Sequence, residues 1–515
     1  MQYDYVIVGA GAAGCVLANR LSADPAVRVL LLEAGGADRR MEIRVPAAFS
    51  KLFKTRYDWN VTTAKQVEMS GRELYWPLGR TLGGSTSINA QMWVRGHRAD
   101  YDGWNLPGWS YEEVLPYFRR SERRIGSNRG GVYGTGGPMF VSELRAPNEV
   151  TLAFLRACEE AGMTRLEELN GPSNEGFSQT PVTQERGRRW SAADGYLRPA
   201  MSRPNLTVLT AAPARRVLLD GSGRATGVEY GEGRRVTAAR EVIVSAGAVG
   251  SPRLLMLSGI GDPAELRAAG VEPRHELPGV GRNLMDHLAA GIVVACPAPV
   301  TLASAESLGN LARYLFGRGG PLTSNVAEAV AFLRTTPQEP APDIELIFAP
   351  APFVDHGLSR PPGHGVTVGA ILLQPESRGR VTLDGEGGVV VDPCYLTAEA
   401  DVRRLAAGLA RAREITETEA LRPYAGGPMR PYGGERTQPE LARYARETAE
   451  TLYHPAGTCK MGIDDDAVVD PSLRVIGVPG LRVADASVMP TLNRGHTQAP
   501  TIMIAEKAAD MIRAS

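Results

Sequence analysis

Tyr5-Val6-Ile7-Val8-Gly9-Ala10-Gly11-Ala12-Ala13-Gly14-Cys15-Val16-Leu17-Ala18-Asn19-Arg20-Leu21 places a short apolar run, three glycines and a stretch of helical character near the start of the chain. An unbroken apolar run of this length reads as a parallel strand covered on both faces. Each glycine then has a task. Gly9 permits the tight turn, Gly11 lets backbone approach a pyrophosphate, and Gly14 lets the helix pack close to the strand. The helix start turns its positive end toward the phosphates. Val29-Leu30-Leu31-Leu32 reads as a second strand, and Glu33 at its end stands 24 residues after Gly9. An acid at roughly 20 residues takes the hydroxyls of an adenosine ribose. Strand, glycines, helix, strand and acid in that order point to a dinucleotide in a Rossmann-like unit. Gly279-Val280-Gly281-Arg282-Asn283-Leu284, the nearest later segment, lacks the third glycine. One tightly held dinucleotide is therefore expected, not two that exchange.

The rest of the chain narrows the class. At 515 residues it exceeds one simple core, so two domains are expected. Lys+Arg and Asp+Glu number 57 each, and a formal net charge of zero disfavours nucleic acid or an anionic membrane surface as partner. No apolar stretch approaches the roughly 20 residues of a membrane span. Met1-Gln2-Tyr3-Asp4-Tyr5 runs straight into the first strand, which leaves no room for a leader and suggests a cytoplasmic protein. The five cysteines (Cys15, Cys158, Cys296, Cys394, Cys459) are scattered and never spaced as CxxC. They support neither a disulfide framework nor a zinc site.

Chemistry-bearing residues gather at the far end. His454 stands in Tyr453-His454-Pro455-Ala456-Gly457-Thr458-Cys459, and His496 in Gly495-His496-Thr497-Gln498-Ala499-Pro500. Neither has a third ligand at metal spacing, and no Gly-x-Ser-x-Gly elbow marks a hydrolase. Oxidising an alcohol requires taking its hydroxyl proton, and histidine, with an ordinary pKa of about 6.5, suits that task. The other histidines, His97, His275, His287, His356 and His364, read as structural.

Six segments carry a resemblance that spans the chain. Gly79-Arg80-Thr81-Leu82-Gly83-Gly84-Ser85-Thr86-Ser87-Ile88-Asn89-Ala90-Gln91-Met92-Trp93-Val94-Arg95-Gly96 resembles the first signature of the glucose–methanol–choline family of FAD oxidoreductases. Gly247-Ala248-Val249-Gly250-Ser251-Pro252-Arg253-Leu254-Leu255-Met256-Leu257-Ser258-Gly259-Ile260-Gly261 resembles the second. Leu277 to His287, Pro375 to Val381, His454 to Thr458 and Arg482 to Pro490 follow in the family's order. The resemblance implies FAD as the cofactor. It would be held by Gly9, Gly11, Ala12, Ala13, Gly14, Glu33, Ala34, Thr81, Gly84, Asn89, Ala90, Met92, Ala214, Asp485, Ala486 and Gln498. Relatives that attach the flavin covalently carry a histidine directly before the asparagine. Ile88 stands there, so non-covalent FAD is implied. By the same resemblance His454 removes the hydroxyl proton while the carbinol hydrogen leaves as hydride for flavin N5, and His496 orients the alcohol oxygen. The closing helix, read as Pro500 to Ile512, would aim its positive end at the flavin.

The expected architecture is α/β (α+β overall): a Rossmann-like FAD-binding domain with an inserted antiparallel-sheet substrate domain. The first comprises residues 1–150, 206–294 and 451–515, the second 151–205 and 295–450. Val366 to Leu373 and Gly379 to Leu383 read as a strand pair joined through Gln374-Pro375-Glu376-Ser377-Arg378. Glu328 either faces the cleft, to meet a cationic or hydroxyl-bearing substrate, or is a satisfied wall residue. Tyr453 and Trp93 are candidate aromatic walls. The expected partners are a small-molecule alcohol and an electron acceptor, whether oxygen, a quinone or another carrier. A cyanohydrin lyase and a light-driven decarboxylase, both known in the family, are the alternatives.

Overall fold

Two large sheets organise this computed structural model, which describes residues 2–514. The first is built on the opening motif. Its parallel part runs Leu206–Leu209, Val29–Leu32, Gln2–Val8, Arg234–Val244, with Leu481–Val483 beside the last. Val29–Leu32 is buried at every residue, as an apolar run covered on both faces must be. The sheet continues antiparallel through Ala225–Tyr230 and Ala214–Leu219, at an edge where polar side chains reach solvent. The expected opening strand, helix and second strand are observed, the helix spanning Ala12–Leu21.

Two ends of the chain meet here. The helix Gln498–Arg513 packs across Ala12–Leu21 and Tyr111–Ser121. Fully buried Glu506 takes Arg20 at 2.6 Å, Arg120 at 2.9 Å and the Tyr196 hydroxyl at 2.7 Å. Removing that carboxylate would leave cationic partners uncompensated in a largely dry place, a change that costs about 3–5 kcal/mol.

The second sheet is wholly antiparallel. Its order is Glu450–Thr451, Leu288–Ala295, Gly365–Leu372, Ile344–Ala349, Ala329–Leu333, Gly176–Gln179. Alternation sorts its side chains. Ile344, Leu346, Phe348, Val368 and Ala370 take one face, covered by the helices Glu399–Thr416 and Glu149–Glu160. The other face carries Glu345, Ile347, Val330, Phe332, Ile371 and Ala289, as the register requires. The boundary expected at 294/295 falls inside the strand Leu288–Ala295, which belongs to this sheet from its first residue, and the one at 150/151 falls inside the helix Glu149–Glu160.

One expected pairing is replaced. Gly365–Leu372 lies between Leu288–Ala295 and Ile344–Ala349, while Arg380–Leu383 pairs with Val389–Asp392. The linking segment cannot close a hairpin because it is held elsewhere. Asp401, in the first turn of Glu399–Thr416, accepts from Glu376 N at 2.8 Å, Ser377 N at 2.9 Å and Ser377 Oγ at 2.6 Å. Gly379 exchanges backbone hydrogen bonds with Leu284.

Candidate active site

The nucleotide end is made of backbone. Gly9 sits at φ +98°, and its N–H donates to the Leu32 carbonyl at 2.8 Å. A Cβ on Gly14 would lie 1.8 Å from the Gly9 carbonyl oxygen, so only glycine lets the helix come this close. A Cβ on Gly11 would meet nothing within 4 Å, the open space a phosphate group needs. The second glycine loop closes on the first: Gly83 N donates to Ala10 O at 2.8 Å, and a Cβ on Gly84 would lie 2.7 Å from Gly11 Cα. Glu33 holds Ala10 N at 2.8 Å and Gly35 N at 2.7 Å, one on each carboxylate oxygen, which leaves each oxygen acceptor capacity for a ribose hydroxyl.

The other expected contacts divide. Thr81 Oγ1 donates to the Gly36 carbonyl at 2.9 Å. Asp485 accepts from Gly247 N, Ser251 Oγ, Ser487 N and Ser487 Oγ, so it ties the start of the Gly247–Leu257 helix to the Ala486–Val488 turn. Ala12 and Ala13 lie in the first helix turn, Ala34 beside Glu33, and Ala214 opens its strand. Asn89 donates to Gln498 Oε1 and accepts from Gln91 N at 3.0 Å and Arg189 at 2.7 Å. Gln498 Nε2 is buried with no partner. The helix begins at Gln498, two residues before the expected Pro500, and its first N–H groups point the same way. Open glycine Cα positions and an unpartnered buried amide beside a helix N-terminus fit a dinucleotide with a polar ring system. FAD is such a group.

The histidine end is made of side chains from remote segments. Glu450–Thr451 pairs with Leu288 and Ala289, and Leu452 N donates to His287 O at 2.8 Å. The chain then turns at Tyr453, φ +68°, a conformation that costs a non-glycine residue roughly 1–3 kcal/mol. Asp286 stabilises the turn, accepting from His454 N at 2.8 Å, Thr451 Oγ1 at 2.6 Å and the Tyr395 hydroxyl. Burial pushes its carboxyl up to about 7. His454 and His496 meet edge to face, ring centroids 4.8 Å apart.

Hydrogen-bond direction settles which ring nitrogens are free. His287 Nε2 lies 3.0 Å from the Leu373 carbonyl, and a carbonyl only accepts, so the proton is on Nε2. Burial holds His287 down to about 3, so the ring is neutral and its Nδ1 is a lone pair. His454 Nδ1, 2.9 Å away, must then carry a proton. That leaves His454 Nε2 bare. Burial, then the neighbouring His496 and His287 imidazoles, hold His454 well below the ordinary histidine range. His496 Nε2 lies 3.0 Å from Glu345 Oε1, which leaves its Nδ1 for a ligand.

Reading from sequence missed three of these residues. His287 was expected to be structural and in fact orients His454; Asp286 anchors its loop. Glu345 carried a visible signal, a glutamate in the inward phase of Ile344-Glu345-Leu346-Ile347-Phe348. Glu328 is a satisfied wall residue, accepting from Asn148 N at 2.7 Å, Thr151 Oγ1 at 2.6 Å and Ser324 Oγ at 2.6 Å. Trp93 is core, fully buried with Nε1 on Glu122 at 2.8 Å. Tyr453 is half-buried beside the site, its hydroxyl 2.7 Å from His356 Nδ1. His97 caps the helix Arg98–Gly103, and His275 and His364 bond Ile476 O and Thr301. Among the described residues no helix is long and apolar enough to cross a membrane.

Sequence models described as GMC oxidoreductase match residues 3–289 and 375–505. A protein of Mycobacterium tuberculosis described as an uncharacterized GMC-type oxidoreductase is 50% identical over 99% of both chains. Human mitochondrial choline dehydrogenase is 42% identical over 99% of this chain and 90% of its own. The alcohol dehydrogenase (acceptor) of Pseudomonas putida is 40% identical over 99% and 96%. Among solved structures, pyridoxine 4-oxidase from Mesorbium loti superposes with a TM-score of 0.91 at 33% identity, covering 100% of this chain and 99% of that one.

Proposed function

The chain belongs to the GMC oxidoreductase family, FAD enzymes acting on CH–OH donors, and on that premise we propose that it oxidises a primary alcohol to the aldehyde with His454 as base. The observation that carries this reading is the bare Nε2 of His454, on a ring set edge to face with that of His496. FAD, when bound, supplies the acceptor at N5 for the carbinol hydrogen as hydride, and oxygen, a quinone or another carrier takes the electrons on.

The protein's part is positioning and proton handling. The alcohol hydroxyl donates to His454 Nε2, and its oxygen lies within reach of His496 Nδ1, so two nitrogens orient one atom. As the carbinol hydrogen leaves, the hydroxyl proton passes to His454 Nε2. The Glu345 carboxylate takes the His496 Nε2–H and so fixes that ring beside His454. FAD is held without a covalent bond, since Ile88 stands where a linking histidine would have to be and is buried in an apolar cluster. Gly9, Gly11, Gly14 and Glu33 would hold the adenosine and pyrophosphate half, Asn89, Ala90, Met92 and Gln498 the flavin half.

The test is anaerobic mixing of the holoenzyme with primary alcohols, following flavin absorbance before and after air is admitted. Bleaching by an alcohol is expected. No bleaching by any benzylic, aliphatic or choline-like alcohol would defeat the reading. The speed of colour return in air separates oxygen from another carrier as acceptor.

A further inference from the structure

The helix Leu308–Gly317 turns its apolar side outward. Leu308, Leu311, Ala312, Leu315 and Phe316 recur at i, i+3, i+4, i+7 and i+8, an arc of roughly 140° around the axis. In a globular protein such a stripe ordinarily faces the core. Here Tyr314, on the opposite side, is the residue buried against the protein, with Leu311 at the margin. Leu308 is 87% exposed, Leu315 52% and Phe316 92%, and Ala312 is exposed between them. Single exposed apolar residues are ordinary, but a contiguous stripe of them marks a contact surface.

Cations flank the stripe. Arg313 lies on the helix beside it, and Arg318 follows its last residue. The Gly187 turn comes close at that end: a Cβ there would lie 2.8 Å from the Arg318 carbonyl oxygen and 3.1 Å from Arg145 Cδ. Arg145, Arg186, Arg313 and Arg318 are all exposed, and among the described residues none of them enters an ion pair. The acids nearby have cations of their own. Glu306 is shared between Lys51 at 2.8 Å and Arg360 at 3.1 Å, and Glu185 lies opposite Arg188 in the hairpin that Gly187 closes. The chain as a whole has no formal net charge, so composition hides this local excess.

We propose that Leu308–Gly317 lies in the surface of an anionic lipid bilayer, with Leu308, Leu315 and Phe316 among the acyl chains and Arg186, Arg313 and Arg318 at the headgroups. Apolar side chains fit among lipid tails, and long arginine stems let guanidinium groups reach the phosphates. Two copies of the chain meeting through this face would instead bring like charges together. A helix of 10 residues is too short to span, so it lies along the interface. The turn Pro46–Leu52 links this surface to the active site. It packs through Ala47 and Ala48 with Tyr314 and Leu322, and through Phe49 and Leu52 with Ile88 of the second glycine loop.

The experiment uses the full-length holoenzyme and two kinds of vesicle, phosphatidylcholine alone and an equimolar mixture with phosphatidylglycerol. In a flotation assay, binding to the mixed vesicles is expected to exceed binding to phosphatidylcholine at least about tenfold. It should weaken as salt screens the arginines. Leu308→Glu with Phe316→Glu should cut it at least about tenfold. Arg186→Glu with Arg313→Glu should bring it down to the level on phosphatidylcholine. All four side chains are exposed, so flavin content and melting temperature should match the parent. Phe316→Trp gives a second readout that spares the apolar stripe. Emission of the introduced indole, taken as a difference from the parent, should be quenched by bromine-labelled acyl chains. Flotation with neither vesicle, equal flotation with both, absent quenching, or binding untouched by the Leu308 and Phe316 changes would overturn the inference. So would a dimer that Phe316→Glu dissociates while vesicles are ignored, which assigns the stripe to a second copy.

Discussion

The two ends of the active site are built in opposite ways. The nucleotide end is backbone contributed largely by residues 9–36 and 81–89, where glycines remove side chains so that main chain and cofactor can approach. The histidine end is four side chains, His287, Glu345, His454 and His496, drawn from segments up to 209 residues apart and aligned by hydrogen bonds. The first is a shape that local spacing specifies. The second is an electrostatic arrangement that exists only once the second sheet is in register. Damage to the first should therefore remove the cofactor, and damage to the second should leave the cofactor in place and remove the rate.

His454→Ala tests that contrast most strongly. Flavin reduction is expected to fall about 10²- to 10⁴-fold, the usual worth of a positioned base, with FAD content unchanged. Reduction that stays fast would show that His454 is not the base. Gly14→Ala is its counterpart. The new methyl meets the Gly9 carbonyl oxygen at 1.8 Å, so FAD occupancy and melting temperature should both drop, by roughly 1–3 kcal/mol or more of stability. Full FAD occupancy in that variant would mean the close approach is not needed.

His287→Leu sharpens the comparison within the histidine end. Losing the acceptor for His454 Nδ1–H frees both tautomers, and the rate should fall roughly ten- to hundredfold with little change in KM. His287→Gln, which can still accept, should recover part of it. ¹⁵N spectra of histidine-labelled protein should show His454 protonated on Nδ1 in the parent and mixed in His287→Leu. An unprotonated Nδ1 in the parent would overturn the assignment.

The smallest effect is on stability against pH. His287, held down to about 3, and His454, held well below 6.5, stay neutral in the fold, while the unfolded chain takes up protons on both below about 6.5. Asp286 works the other way, keeping its proton in the fold up to about 7 where the unfolded chain releases it near 3.9. Two histidines against one aspartate leave a net uptake of one proton on unfolding between about pH 4 and 6.5. Stability should therefore drop as pH is lowered through that window, by about 1.4 kcal/mol per unit from this cluster. In His287→Leu the cluster's contribution should flatten, and urea midpoints at pH 6.5 and 5 would show it.

The nucleotide end was legible almost residue by residue, because strand, glycine turn, helix and acid are neighbours in the chain and their spacing is their geometry. The histidine pair was legible as a pair, since motif context marked both members. Their partners were not. His287 looked like one more packed histidine, because the direction of its hydrogen bonds depends on Leu373, 86 residues away. The hairpin expected around Pro375 was misread for a similar reason: Asp401, a tertiary partner, captures the linking amides.

By itself the sequence determined the Rossmann-like unit, the FAD-dependent family and the identity of the two facing histidines, since each is written in short-range spacing or a contiguous motif. Only the tertiary structure decided that His454 presents a bare Nε2, that Glu345 stands behind His496, and that Glu328 is occupied. Those properties follow from strand register and hydrogen-bond direction, which bring together residues the chain keeps far apart.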